Sequence, residues 1–348
     1  MVTIKQIAQE AGVSTMTVSN VINKRTNKVS LATQEKVQAL LNKYHYTPNL
    51  NARSLVSSES KLIAVIEYSE DIDDASISFN DPFLAELLAN IESEVKTRNY
   101  FTLIRRVTNV EEIVDLRNNW NLAGAIVVGL NARYFEHLMK TLNVPTVFVD
   151  SYIDRRVVDR VFKRLHRSMC FINSDDFDGT KQATEYLLNA GRKKIGFLGF
   201  AYNSEGVVSN RLAGYQATIT DNQMVADSQR IVMIKNKAKP ASEYKKIIRL
   251  VQNDKLDALV VTSDLVTGEL LRYLQLNSDI KVPKDLAIIG FDNLAIAKLL
   301  TPALSTVGQD IGHKGRAAVN FLINAKQDHE SHIEFISLPV NLVIRETT

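Results

Sequence analysis

From residue 61 onwards, short and almost wholly apolar runs alternate with longer stretches of helical periodicity. This alternation restricts the fold more than any other feature, because strands without a polar face are buried on both sides, as in parallel sheets covered by helices. Ten such runs predict two doubly wound α/β lobes rather than one sheet. The predicted strands are Leu62–Ile66, Thr102–Arg105, Ala125–Gly129, Thr146–Val149, Cys170–Ile172, Ile195–Gly199, Ile231–Ile234, Ala258–Thr262, Leu286–Gly290 and Ile333–Leu338.

The composition is that of a globular protein. The chain has 348 residues, of which 45% are hydrophobic and 23% are charged, and this balance excludes collagen-like and disordered classes. The longest apolar run, Ala123–Leu130, is far shorter than the roughly 20 residues of a membrane-spanning helix. A single cysteine, Cys170, excludes an internal disulfide framework. Because the N-terminus lacks the basic-then-apolar pattern of a signal peptide, we expect a soluble cytoplasmic protein.

The excess positive charge is concentrated at the N-terminus. Residues 1–60 contain seven Lys and Arg against three Glu, a net charge of +4, whereas residues 61–348 contain 35 basic and 36 acidic residues. A basic end on a nearly neutral body is typical of a protein that binds a polyanion, although short helical segments can also be basic by chance.

The first sixty residues have the pattern of a helix-turn-helix. Thr3 and Gln6 fit a capping box that starts one helix. Gly12 can end that helix in the left-handed conformation, and Ser14 fits the N-cap of a second helix. A third helix is predicted from about Leu31 to Tyr44. In this motif the second helix enters the major groove of DNA, although the same pattern also occurs in helical hairpins that bind nothing.

The exposed side chains of the second helix suit DNA. They are hydroxyl, amide and thioether groups, which can contact base edges and phosphates, and an asparagine can form two hydrogen bonds with adenine. The exposed positions are Thr15, Met16, Thr17, Ser19, Asn20 and Asn23.

A polar segment follows the third helix. Asn49–Leu55 is long enough for about two helical turns, and so short a helix is marginal in water unless something holds it. Leu55 would then need burial. There are two alternatives for this burial. Leu55 packs on the following domain, which is the alternative that the sequence alone favours, or it inserts between base steps in the minor groove of DNA.

Several motifs along the chain are specific enough to indicate a family. At the N-terminus they are Val2–Asn23, Val29-Ser30 and the spacing of Tyr46, Pro48, Asn49, Ala52, Arg53, Ser54 and Leu55. Downstream they are Asn210–Tyr215, Pro283–Asn293 and Thr301–Val307. Together these motifs cover almost the whole chain, which resembles the lactose/galactose/purine repressor family of bacterial transcription regulators.

The resemblance implies a repressor, either a homodimer or a higher homo-oligomer, that binds a pseudo-palindromic operator in double-stranded DNA. The DNA-binding domain is expected at residues 1–48, with a hinge helix and linker at residues 49–60. By position, the base readers are Thr15, Met16 and Asn20, and the minor-groove contacts are Asn49, Ala52 and Leu55. The phosphate contacts are Ser14, Thr17, Ser19 and Asn23. Many members have arginine where this chain has Asn20, so the operator sequence is not inherited.

For residues 61–348 the resemblance implies an effector-binding and dimerisation core like that of periplasmic sugar-binding proteins, with three crossings between the lobes. The first lobe is expected at about 61–170 and 309–326, and the second at about 171–308 and 327–348. The expected effector is a carbohydrate or a carbohydrate derivative that binds between the lobes and changes the affinity for the operator.

Acidic residues follow three predicted strands, at the edge where doubly wound sheets bind their ligands. They are Asp150, Asp264 and Asp292. Carboxylates accept hydrogen bonds from sugar hydroxyls, but an aspartate after a strand can equally cap the next helix, and the spacing does not decide between these roles for Asp264 and Asp292. The resemblance implies effector contacts for these three residues and for Phe83, Arg211 and Gln309.

Arg211 is an unusual residue, because it is predicted just before a helix at Leu212–Thr220. The helix dipole disfavours a cation at that end. A carboxylate such as Asp292, or a ligand oxygen, can compensate, unless Arg211 is simply a solvated surface residue.

Two segments depart from the family. Residues 151–169 are longer and more basic than expected for a connection between lobes, and they form a solvated surface insertion or, alternatively, a helix that binds a partner. Lys235–Lys239 replaces a turn that is often acidic and aromatic, which weakens any inherited choice of effector.

A sugar-transport protein and an enzyme are the competing interpretations. A transport protein has no use for the N-terminal motif and needs a signal peptide. An enzyme is not supported, because the chain contains no Gly-x-Gly-x-x-Gly, P-loop or Gly-x-Ser-x-Gly motif, and its six histidines show no metal-ligand spacing. We therefore predict a regulator that is not an enzyme and needs neither a metal nor a cofactor.

Overall fold

A computed structural model describes residues 2–46, 60–68, 81–201, 206–224, 227–236, 239–328 and 330–348. The chain divides into two compact units, Met1–Ser60 and Lys61–Thr348. The predicted hinge contacts Asn49, Ala52 and Leu55 lie outside the described residues.

The N-terminal unit contains three α-helices, α1 (Ile4–Ala11), α2 (Thr15–Ile22) and α3 (Leu31–Lys43). Thr3 and Gln6 form the predicted capping box at the start of α1. Gly12 has a φ of +69°, which a residue with a Cβ adopts only at a cost. Ile7, Val18 and Val37, one from each helix, are fully buried against one another. The predicted helix-turn-helix is therefore present.

The core unit alternates strands with helices. Its strands are β1 (Leu62–Tyr68), β2 (Phe101–Val107), β3 (Gly124–Val128), β4 (Thr146–Val149), β5 (Met169–Ser174), β6 (Ile195–Phe200), β7 (Ile231–Ile234), β8 (Ala258–Val261), β9 (Ala287–Asp292), β10 (Ser305–Gln309), β11 (Ile333–Leu338) and β12 (Val340–Val343). Its helices are α4 (Pro82–Thr97), α5 (Glu111–Asn119), α6 (Phe135–Thr141), α7 (Arg155–Leu165), α8 (Asp176–Asn189), α9 (Val207–Asp221), α10 (Ala241–Gln252), α11 (Asp264–Asn277), α12 (Ala295–Leu299) and α13 (Ile311–Gln327).

The strands form two sheets, in the orders β11-β5-β4-β3-β1-β2 and β12-β10-β9-β8-β6-β7. All neighbours are parallel except β10 and β12. The chain crosses between the sheets after β5, β10 and β11. Helices cover both faces of each sheet, with α4 and α13 on one face of the first sheet and α5, α6 and α7 on the other. This arrangement confirms the predicted fold of two doubly wound lobes. Within the described ranges, no helix is long and apolar enough to cross a membrane.

The lobe boundaries differ from the prediction. Both β5 and β11 were expected mainly in the second lobe, but they pair with each other in the first sheet, where Phe335 lies opposite Phe171. An apolar pattern shows that a segment is a strand, but it does not show which sheet supplies its partner. The strands β10 and β12 were not predicted, and β2 and β11 are partly exposed because each lies at a sheet edge.

The second lobe depends on close packing between α8 and α9. A Cβ on Gly214 of α9 would come closer than 3.0 Å to the Phe177 carbonyl oxygen and the Thr180 hydroxyl of α8. Gly268 of α11 is different, since a Cβ added there would lie 3.5 Å from its nearest neighbour, a methyl carbon of Leu300.

These two helical glycines should respond oppositely to substitution by alanine. Gly214→Ala forces α8 and α9 apart and should lower the free energy of unfolding by about 1–3 kcal/mol. Gly268→Ala adds helix propensity without a clash and should raise it by up to about 1 kcal/mol. Thermal unfolding of the two variants beside the wild type checks this, and a Gly214→Ala protein at least as stable as Gly268→Ala would contradict it.

Candidate effector cleft and DNA interface

Charged and amide side chains from both lobes meet at the carboxyl ends of the strands, between the two sheets. Asp150 follows β4, Asp176 begins α8 after β5, Asp292 ends β9 and Gln309 ends β10. Asp292 has a φ of +115°, which L-residues rarely adopt. Backbone strain of this kind is concentrated at functional sites, so this edge of the sheets is the candidate effector cleft.

Arg211 lies in this cleft and is 5% exposed. Its Nε is 2.7 Å from Asp176 Oδ1, and its Nη1 is 3.6 Å from Asp292 Oδ1. Nη1 also donates a hydrogen bond to the Thr262 carbonyl oxygen, and the guanidinium lies 3.5 Å from the centre of the Phe291 ring. Burial alone would lower the pKa of Arg211, but the two aspartates outweigh it and raise that pKa.

The helix that carries Arg211 begins earlier than predicted, at Val207 rather than at Leu212. Arg211 therefore lies inside α9 rather than before it. Its compensating partner is chiefly Asp176, which the sequence pattern does not identify, with Asp292 at a longer distance.

Lys314 is a second buried cation in the cleft, and it was not predicted from the sequence. It lies on α13 and its side chain is 1% exposed. Its Nζ donates to Asp150 Oδ1 at 2.5 Å and to Gln309 Oε1 at 2.7 Å. The same ammonium lies 5.3 Å from the centre of the Phe83 ring. Lys314 therefore occupies oxygens of two residues that were predicted to contact the effector.

Hydrogen bonds, together with the ion pair between Arg211 and Asp292, join these groups into one network across the two lobes. Gln309 Nε2 donates to Asp292 Oδ1 at 2.7 Å, and Ser174 Oγ donates to Gln309 Oε1 at 2.8 Å. On the other side, the Tyr152 hydroxyl donates to Asp176. Asp150, Lys314, Gln309, Asp292, Arg211, Asp176 and Tyr152 thus follow one another around the cleft.

The charges of this network do not balance. Three carboxylates face two cations, and burial raises the pKa of Asp292 well above its ordinary value although Arg211 opposes the shift. Burial likewise raises the pKa of Asp150, against the effect of Lys314. An uncompensated buried carboxylate is stabilised by hydrogen-bond donors, so the cleft suits a ligand that brings hydroxyl groups.

Asp264 does not belong to this network. It is fully buried, its Oδ2 accepts the backbone N–H of Leu294 at 2.8 Å, and its Oδ1 accepts the hydroxyl of Thr306 at 2.6 Å. One oxygen thus binds the loop after β9 and the other binds strand β10. The structure therefore favours the structural role for Asp264 over the predicted effector contact.

The exposed face of α2 divides into two groups of side chains. Ser14 caps the helix and hydrogen-bonds the Thr17 hydroxyl at 2.9 Å, and Asn23 Nδ2 donates to the Ser19 hydroxyl at 3.2 Å. These four predicted phosphate contacts are already engaged with one another. Of the predicted base readers, Met16 is 73% exposed.

Thr15 and Asn20 complete the predicted base readers. Thr15 is exposed and Asn20 is half-buried. Neither side chain has a hydrogen-bond partner among the described residues. The second group of α2 side chains is therefore free to contact bases.

A weak signal for the missed cleft residues was present in the sequence. Asp176 belongs to the polar run Asn173–Asp176, which directly follows a buried strand. Lys314 lies on the apolar face of α13 between Ile311 and Ala318, and a lysine at such a position is almost never buried without a charged partner. Neither signal identifies the partner, because Asp150 is distant from Lys314 in the sequence.

The fold and the cleft together define a DNA-binding regulator with a two-lobed ligand-binding core. Residues 3–49 match the model of bacterial regulatory proteins of the lacI family, and residues 184–348 match the periplasmic binding protein-like domain. The chain therefore combines a DNA-binding domain of the lacI family with a periplasmic binding protein-like domain, and it is a transcription regulator rather than an enzyme.

Known proteins align over most or all of the chain. The ribose operon repressor of Lactococcus lactis is 27% identical, with 100% of this chain and 98% of that protein covered. A crystal structure of the lac repressor dimer bound to operator and an anti-inducer has a TM-score of 0.80 at 24% identity, covering 100% of this chain and 99% of that chain. A lacI-family regulator from Enterococcus faecium with bound ribose has a TM-score of 0.67 at 20% identity, covering 82% and 98%.

Asp264 should make the stability of the core depend on pH. Burial raises its pKa to about 6, against the hydrogen bonds from Thr306 and Leu294. Because the folded state holds this proton more tightly than the unfolded chain, a contribution of about 3 kcal/mol present at low pH is lost as the pH rises through about 6. Asp264→Asn should remove this part of the loss and make the pH profile of the thermal midpoint less steep.

The exposed Asp115 offers a control for this measurement. Asp115→Asn should leave the wild-type pH profile unchanged. A profile that stays as steep in Asp264→Asn as in Asp115→Asn would show that Asp264 is not the titrating group.

Proposed function

We propose that this regulator represses transcription in the cytoplasm and that a carbohydrate bound between the lobes controls its affinity for operator DNA. The observation that carries the proposal is the cleft network around Arg211 and Asp292. Its unbalanced carboxylates suit hydroxyl donors, and the ribose-bound relative of the same fold supports a sugar as the ligand class.

The effector contacts that we propose are Phe83, Asp150, Arg211, Asp292 and Gln309. Lys314 and Asp176 join them, because each is bonded to a member of this set. A ligand between the lobes must replace some of these internal bonds with its own. Coupling between such a cleft and DNA binding is typically about 1–3 kcal/mol, or about 5–150-fold in affinity.

For the DNA interface we propose that Thr15, Met16 and Asn20 read bases. The exposure of Thr15 and Met16 supports this role, and so does the lack of a hydrogen-bond partner for the Thr15 and Asn20 side chains among the described residues. Asn49, Ala52 and Leu55 remain proposed minor-groove contacts on the resemblance alone. The local bonds of Ser14, Thr17, Ser19 and Asn23 preorganise their hydroxyl and amide groups for phosphates.

A homodimer is part of the proposal. Phe101 and Ile104 on the edge strand β2 are 50% and 41% exposed, and Leu299 on α12 is 80% exposed. These apolar side chains are available for burial against a second subunit. Two subunits would also present two copies of α2 to a pseudo-palindromic operator.

Asn20→Ala should relax the base preference at one position of each half-site. The amide can form two hydrogen bonds with an adenine edge, and their loss should cost roughly 1–3 kcal/mol against that base and little against the others. Selection of duplexes from a random pool by wild type and variant measures the preference. Identical selected sequences would show that Asn20 does not read a base.

Asp292→Asn should retain operator binding without effector and lose most of the effector response. The change keeps the shape of the side chain but removes the charged acceptor beside Arg211, so a sugar hydroxyl loses its strongest partner. A thermal-shift screen of ribose, other sugars, sugar phosphates and nucleobases first identifies an effector. Fluorescence anisotropy of labelled operator, with increasing effector, then measures the response.

Asp115→Asn serves as the control, because Asp115 is exposed on α5. It should respond to the effector as the wild type does. If Asp292→Asn responds at the same effector concentration as Asp115→Asn, then Asp292 only shapes the loop and the proposed cleft is wrong.

A further inference from the structure

The basic segment 151–169 contains a surface helix, α7, whose packing against the core does not account for its charged face. Helix α7 lies between β4 and β5, and Val158 and Val161 on its apolar face are fully buried in the core of the first lobe. Asp154 caps its N-terminus. The apolar face and the cap hold the helix in place, so the charged face is free for another role.

The net charge of this segment equals that of residues 1–60, the DNA-binding headpiece. Residues 151–169 contain six Lys and Arg against two Asp, a net charge of +4, as for residues 1–60. The rest of the core therefore carries a net charge of −5. The chain thus has two basic regions on an otherwise acidic body.

Lys163 and Arg164 lie in the last turn of α7, where the helix dipole favours a cation, but other cations lie at positions that disfavour the helix. Arg155 and Arg156 lie in the first turn, where the helix dipole repels a cation. Arg156, Arg160 and Arg164 follow one another at four-residue spacing, so like charges lie one above another on the same face. Cations placed where they destabilise their own helix indicate a role outside that helix.

Most of this row remains open to a partner. Glu136 of α6 lies 2.9 Å from Arg160 and 3.9 Å from Arg164, yet both arginines stay well exposed. Arg156 and Lys163 are exposed and have no ion-pair partner in the part of the chain that the structure describes. Four cations of α7 therefore face solvent with a single carboxylate of α6 beside them.

The chemistry of this face selects among possible partners. An amphipathic helix on a membrane inserts its apolar face, but here that face is buried in the protein. A protein interface is centred on apolar and aromatic anchors, whereas the exposed residues of α7 are all charged. Guanidinium groups match phosphate oxygens through two parallel hydrogen bonds, so a phosphate-bearing polyanion fits best.

The position of α7 beside the first sheet is consistent with DNA as its partner. The helix ends just before β5, at the edge where the parallel strand β1 also begins. The chain from the DNA-binding headpiece enters the core at Lys61, directly before β1. The basic helix thus ends at the edge of the first lobe from which the covalent connection to the headpiece departs.

We propose that α7 is a second DNA-binding surface, which contacts phosphates without reading sequence and so holds DNA beside the operator. The proposal rests on the assignment of the chain as a DNA-binding regulator and is independent of the effector. Backbone contacts of this kind add affinity that falls steeply with salt.

The test uses the full-length protein and a long random-sequence duplex. The triple variant Arg156→Gln, Arg160→Gln, Lys163→Gln should bind it more weakly between about 50 and 200 mM salt, and its salt slope should be shallower by about 0.9 for each lost phosphate contact. The matched control is Lys245→Gln, Lys246→Gln, Arg249→Gln on α10, which removes the same charge from exposed positions and should keep the wild-type slope.

Two further measurements separate the remaining outcomes. Arg156→Lys with Arg160→Lys keeps the charge and should keep the slope, which excludes a folding defect as the cause. A short duplex that carries only the selected operator should bind the α7 variant as it binds the wild type, because the headpiece alone covers this duplex. Asn20→Ala, in contrast, should change the base preference on the same duplex.

Equal slopes for the α7 and α10 variants would overturn the proposal, since bulk charge alone would then account for the effect. It would also be overturned if the α7 variant kept the wild-type slope on DNA but lost binding of poly-L-glutamate. That result would assign the surface to an acidic protein.

Discussion

Arg211 is the group on which the arrangement of the cleft depends. A guanidinium with so little exposure is tolerated only when carboxylates and carbonyls take its N–H groups. Its hydrogen bonds go to Asp176 at the start of α8 and to the Thr262 carbonyl after β8, and Asp292 at the end of β9 forms an ion pair with it. One buried cation thus aligns the ends of separate strands, and the ligand-binding edge of the second lobe takes its shape from that alignment.

Lys314 is a second buried cation that needs oxygen acceptors, and it connects the network to the first lobe. Its ammonium takes oxygens of Asp150 and Gln309, and Gln309 in turn bonds Asp292. Buried ion pairs often contribute little net stability, because desolvation offsets their attraction. Their effect here concerns selectivity, because a molecule that enters this network must replace internal bonds with equivalent ones.

The sequence predicts features that depend on local pattern, such as the capping box at Thr3 and the apolar strands. It does not predict β10 and β12, because β10 contains only one large apolar residue, Val307, and Asn341 interrupts the apolar run of β12. The contacts of the cleft are harder still to predict from the sequence. Asp264 and Asp292 both stand close after a predicted strand, yet only Asp292 lies beside Arg211, and that difference arises from contacts between residues far apart in the chain.

The three crossings between the sheets also govern the order in which the protein can form during synthesis. The first sheet needs β11 (Ile333–Leu338), and its core needs α13 (Ile311–Gln327). The second sheet needs β12 (Val340–Val343) at its edge. Neither lobe can be completed until the ribosome has made nearly the whole chain, whereas the headpiece consists of local contacts and can fold first. The DNA-binding unit of a nascent chain therefore exists before any sensor that could control it.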